Sequence, residues 1–119
     1  MRDDERDLLL FLAEVYLRLG RARHAMLLLA PLAQMEPDSL PLARLMVRGH
    51  LARGQHEAAL AAVDRLVEHE FQPAELAFAM SMQARALAGL GRMADARAAW
   101  AECVAQCRAV RLDVMEFAR

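Results

Sequence analysis

Three glycines, each followed five residues later by an alanine, punctuate this chain at nearly even intervals. Gly20 precedes Ala25, Gly54 precedes Ala59 and Gly91 precedes Ala96, with glycine spacings of 34 and 37 residues. In a sequence otherwise dense in helix formers, such a glycine marks where a helix stops. It takes the left-handed conformation that caps a helix C-terminus without the steric cost other residues carry.

Between the glycines the apolar residues recur at helical spacing. Leu9, Leu12, Ala13 and Tyr16 share one face, as do Ala25, Leu28, Leu29 and Leu32. No run alternates as a strand would, and Val is the only β-branched residue. Further breaks fall at "EPDSLP" (36–41) and "FQP" (71–73), where prolines interrupt. The pattern predicts helices near 6–19, 22–35, 40–53, 56–70 and 74–90, and a last one from 93 onward. Short connections make neighbours antiparallel. After Gly91 there is no Gly or Pro, and Trp100, Cys103, Cys107, Val110, Val114 and Phe117 form one stripe. That stripe predicts an extended final helix to about 118. Its end (109–119, with Val110, Val114 and Phe117) serves either as a cap or as an interface with a partner or second copy.

Paired helices at a period near 34 residues resemble tetratricopeptide (TPR) repeats, with repeats about 6–39, 40–73 and 77–108. The resemblance implies an all-α domain of three helix pairs in a short right-handed solenoid. Small residues at Ala25, Ala59 and Ala96 let the second helix of each pair cross close to the first. Leu29, Val63 and Trp100, four positions on, wedge between pairs, and Tyr16, His50 and Leu87 fill the core beside each glycine. Pro37 ends repeat one as the pattern wants. The match departs where the pattern's early Trp is replaced by Leu9, Ala43 and Met80, and where Gln83 stands for an apolar residue. Leu8 to Pro37 also echoes "LLLxxxxLxLGxxxxAxxLLxxLxxxxP", which makes the chain similar to the small TPR chaperones of bacterial type III secretion systems, the YscY-like group. That resemblance implies a cytoplasmic chaperone that binds a secretory-apparatus or export-substrate protein and holds it soluble until secretion.

Composition fits a single domain of 119 residues that buries a core without metal or disulfides. Fifteen basic residues, all Arg, balance 16 acidic ones to a net −1, which offers no attraction for nucleic acid or an anionic membrane. The opening "MRDDERD" and the short apolar run after it do not make a signal peptide, and no segment is apolar enough to span a membrane. A cytoplasmic location is expected. Cys103 and Cys107 share a helix face without a nearby His, so they predict small core residues rather than a zinc site.

Residue patterns that carry chemistry are few. His24, His50, His56 and His69 lack metal or metalloprotease spacing, and Ser39 and Ser81 lie in no nucleophile or phosphate-loop context. No enzyme, metal or cofactor is expected. The TPR resemblance instead directs attention to the first helix of each pair, which lines the concave groove. The groove-facing offsets are Leu10, Glu14, Leu17 and Arg18, then Arg44, Arg48 and Leu51, then Phe78, Ser81, Met82 and Arg85. This is an apolar floor beside an arginine row, suited to a partner helix whose carboxylates meet Arg. Two function classes remain open on these residues. One is a secretion chaperone. The other is a generic TPR scaffold or homo-oligomerising interaction domain, and the groove floor of Leu and Phe predicts homodimers or aggregation of the free protein at high concentration, relieved by the partner.

Overall fold

The computed structural model describes residues 2–70 and 72–109. They form six helices: α1 (Asp3–Arg18), α2 (Ala22–Met35), α3 (Leu40–Ala52), α4 (His56–His69), α5 (Pro73–Gly89) and α6 (Met93–Ala109). No strand occurs among the described residues. The final segment with Val110, Val114 and Phe117 lies outside them, as does the expected run of the last helix beyond 109.

The recurrent glycines answer to one geometry used three times. Gly20, Gly54 and Gly91 have φ of 75°, 70° and 79°. At each, the glycine N–H donates to the carbonyl three residues back: Leu17 at 3.2 Å, Leu51 at 3.1 Å and Ala88 at 3.0 Å. The next residue donates five back, Arg21 to Tyr16 at 2.8 Å, Gln55 to His50 at 2.8 Å and Arg92 to Leu87 at 2.9 Å. This is the paired C-terminal cap in which a left-handed residue satisfies two orphan carbonyls. The same Arg21, Gln55 and Arg92 carbonyls then accept from Ala25, Ala59 and Ala96, which opens the following helix. One turn both stops a helix and starts its partner. An alanine at any of these glycines adds no clash, since nothing lies within 4 Å of an added Cβ. It is strained by φ alone, so Gly54→Ala should cost about 1–2 kcal/mol in urea unfolding.

Other helix starts are set by different chemistry. Ser39 Oγ accepts from Leu42 N–H at 3.4 Å to cap α3, and prolines sit in the first turns of α3 and α5. Pro31 lies inside α2 without ending it. It is exposed, and the carbonyl it leaves without a donor belongs to Leu27, a residue 71% exposed. That placement softens a defect that would be costly in a core.

Each helix packs on the next, and α1 also touches α3 as α3 touches α5. The first helices of the three pairs therefore form one row. Ala25 and Ala59 are fully buried and Ala96 nearly so, as close crossings require. Leu29 and Val63 are fully buried between pairs, but Trp100 at the matching place is 36% exposed. The expectation that it wedges between pairs fails there because no further pair follows among the described residues. Of the residues expected in the core beside the glycines, Leu87 is buried while Tyr16 and His50 are half-buried. Tyr16 stacks on His24 with ring centroids 5.4 Å apart, and His50 Nδ1 lies 2.9 Å from Gln55 Oε1. Gln83, anomalous beside the repeat pattern, donates to Asp64 Oδ1 at 2.9 Å and so ties α5 to α4.

Cys103 and Cys107 are fully buried against Ala77, and Cys103 Sγ donates to the Ala77 carbonyl at 3.2 Å. Burial, reinforced by Cys107, pushes the Cys103 thiol up to about 11. Cys103 should react with a thiol reagent at pH 8 roughly 100-fold or more slowly in the native protein than in urea. Peptide mapping of the modified protein reads this residue apart from Cys107. Equal rates would contradict its burial.

Candidate partner groove

The row of α1, α3 and α5 encloses a cleft of about 400 Å³. Leu17 comes from α1, Arg48, Leu51 and Ala52 from α3, Phe78, Met82 and Arg85 from α5, and His56 from the start of α4. Six of the residues expected to face a groove are thus brought together: Leu17, Arg48, Leu51, Phe78, Met82 and Arg85. Met82 is 1% exposed and forms the floor, while Phe78 is 36% exposed and stands at the opening. An apolar lining of Leu, Met and Phe beside cationic side chains can hold an amphipathic segment by its apolar face.

The remaining expected residues are placed otherwise. Leu10 packs against the core between α1, α2 and α3 and is absent from the cleft lining. Ser81 is buried and turns back to donate to the Phe78 carbonyl at 2.6 Å. Glu14 and the exposed Arg18 are an ion pair along α1 at 3.0 Å, and Glu14 also accepts from Arg48 on α3. Burial works to raise the Glu14 carboxyl, but the hydrogen bonds and charges of Arg48 and Arg18 outweigh it and hold it below the ordinary range.

A folded-state value held low makes Glu14 stabilising above its unfolded value of 4.5, with that contribution lost as pH falls below it. The difference in melting temperature between the native chain and Glu14→Gln should therefore be constant near neutrality and shrink below about pH 4.5. A difference that does not change with pH would show that the charge on Glu14 is immaterial.

Arg44 does not face the cleft at all. Its guanidinium donates to Glu70 Oε1 from Nε at 2.9 Å and from Nη2 at 2.5 Å, and its Nε lies 3.3 Å from Glu75 Oε2. The Glu70 side chain is only 4% exposed, so Arg44 neutralises a buried carboxylate at the end of α4. The arginine row expected from the sequence is thus divided. Arg44 is a structural tie, Arg48 bridges α3 to Glu14 while bordering the cleft, and Arg85 lines it.

His56 was not among the residues expected here. It lies on a second helix of a pair, where counting offsets along first helices cannot reach. Its ring packs flat on Gly89, where an added Cβ would meet ring atoms at 2.3 Å. Its Nδ1 is sealed from solvent with no hydrogen-bond partner among the described residues. Gly89 is the one sequence signal for this placement, a glycine inside a helix where a neighbour approaches closely.

Among the described residues no group of three His, Cys, Asp or Glu side chains could hold a metal ion. No described helix is long and apolar enough to cross a membrane. No protein-family model and no curated protein matches the chain.

Proposed function

We propose that this protein is a TPR-type binding module that works in the cytoplasm as a chaperone, its cleft masking a segment of a secreted or export-apparatus protein of a type III secretion system. The observation that carries this reading is the cleft itself. Leu17, Leu51, Phe78 and Met82, spread over 66 residues of sequence order from position 17 to 82, converge on one apolar floor with Arg48 and Arg85 beside it. The TPR assignment is supported by the glycine turn used three times, by the buried alanines at each crossing, and by the row that first helices make. The secretion role is supported by the likeness of Leu8 to Pro37 to the YscY-like pattern.

The mechanism is mass action. A partner segment bound in the cleft is withdrawn from aggregation, and the free energy of binding stabilises both chains. An amphipathic helix is the occupant that matches the apolar lining. The test is co-expression with the proteins encoded beside it, followed by size-exclusion chromatography of the complex. Phe78→Glu should weaken that complex by about 100-fold or more, because docking would bury an unpaired charge. Phe78 is exposed enough for the free variant to fold. Leu27→Glu on α2, outside the cleft, should leave binding unchanged. A complex insensitive to Phe78→Glu, or no complex with any secretory protein, would overturn the reading.

A further inference from the structure

An exposed apolar stripe lies on the other side of α1 from the cleft. Leu8, Phe11, Leu12 and Leu19 are 57%, 63%, 38% and 66% exposed, and half-buried Val15 completes the stripe. Their spacing places all five on one face of a helix. The opposite face, with Leu9, Ala13, Tyr16 and Leu17, packs into the core. A helix that is apolar on both sides is one that is covered on both sides.

The charges around the stripe say what covers it. Asp3, Asp4, Glu5 and Asp7, all exposed, outnumber Arg2 and Arg6 at its N-terminal end, where Arg2 pairs with Asp4 and Glu5 and Arg6 with Asp7. Arg18, paired with Glu14, closes α1 about 21 Å away at 1.5 Å per residue, and Arg21 and Arg23 follow in the turn and the first residues of α2, all three exposed. Asp3, Arg21 and Arg23 make no ion pair among the described residues. One helix carrying acid at one end and base at the other complements itself when a copy runs antiparallel.

We propose that the outer face of α1 pairs with the same face of a second copy of this chain, antiparallel across a twofold axis. Leu8 then meets Leu19 of the partner subunit, and Leu12 meets Val15 of the partner subunit. The acidic end of each copy meets the arginines of the other. A parallel pairing would instead set acid against acid. The contact is isologous and closes at two subunits. A single helix face about 24 Å long falls well short of the roughly 800 Å² per side of a standard interface. The dimer is accordingly weak and reversible. It uses a surface separate from the cleft and does not depend on the chaperone reading.

Sedimentation equilibrium of the full chain from low-micromolar to near-millimolar concentration tests this. The native chain should pass from monomer to dimer over that range. Phe11→Glu should raise the dissociation constant at least ten-fold, and so should Arg21→Glu with Arg23→Glu. Adding Asp3→Arg and Asp4→Arg to the arginine double variant should restore dimerisation, a recovery that a misfolded chain cannot give. Phe78→Glu should leave the dimer intact. A native chain that stays monomeric, a dimer insensitive to Phe11→Glu, a charge exchange that restores nothing, or a dimer lost with Phe78→Glu would each overturn the proposal.

Discussion

Replacing Arg44 by alanine should lower the unfolding free energy by about 3–5 kcal/mol. The cost comes less from the lost ion pair than from what is left behind. Glu70 has a side chain 4% exposed at the end of α4, held by two guanidinium contacts at 2.9 and 2.5 Å. Without Arg44 its carboxylate is buried with no compensating charge. It must then reach water by opening the structure around the end of α4, or destabilise the fold. Arg44→Met separates charge from packing, since it keeps most of the stem. It should cost nearly as much as alanine. Combining Arg44→Met with Glu70→Met removes both charges and should recover most of the loss, as buried pairs replaced by apolar residues often do. Urea unfolding followed by circular dichroism measures all three. A loss under about 1 kcal/mol for Arg44→Ala would place this pair among ordinary surface ion pairs.

Leu29→Ala should cost about 2–5 kcal/mol, whereas Leu27→Ala two residues earlier should change stability by no more than about 0.5 kcal/mol. Leu29 is fully buried where α2 meets the first helices of pairs one and two, and Leu27 is 71% exposed. The two side chains are chemically identical and lie on one helix, so propensity and composition cancel in the comparison. Only the phase of α2 against its neighbours remains. Leu29 shares its buried cluster with Ala13, Ala25, Met26, Leu32 and Leu42, so its truncation leaves a cavity among apolar side chains. Equal losses at 27 and 29 would mean that the register of the first pair is wrong.

Those two residues also mark where the sequence was informative. The end of each pair's first helix was legible because a left-handed glycine and a following small residue leave few alternatives, and Ala25, Ala59 and Ala96 fell at the crossings as expected. The row of α1, α3 and α5 followed from the same period, which is why Leu17, Leu51, Phe78 and Met82 could be grouped from positions far apart. What the period could not supply was the choice among faces of a helix that is apolar nearly all round. Leu9, Leu12, Ala13 and Tyr16 read as one buried face, yet Leu12 is 38% exposed and belongs with Leu8, Phe11 and Leu19 outside. Leucine at six of twelve positions from Leu8 to Leu19 makes several phases equally hydrophobic.

The polar partners were hidden for a different reason. Arg44 meets Glu70 across 26 residues, and the offset along a repeat says only which side of the helix Arg44 leaves, not which carboxylate waits beyond it. Ser81 carried a groove-facing offset but satisfied its hydroxyl locally on the Phe78 carbonyl, an option open to serine within any helix. Trp100 shows the limit of the repeat argument itself. A position that is buried because a neighbour follows is exposed at the last pair described.

The central claim is that the face made by α1, α3 and α5 is the working surface, and photo-crosslinking inside the cell tests it most directly. A photoreactive phenylalanine analogue at position 78 stands at the mouth of the cleft, and the same residue at position 27 stands on exposed α2. The account predicts that position 78 yields one discrete heavier adduct containing a secreted or export-apparatus protein, while position 27 yields none. Adducts from position 27 alone, or no adduct at position 78 when that secretory protein is present, would contradict it.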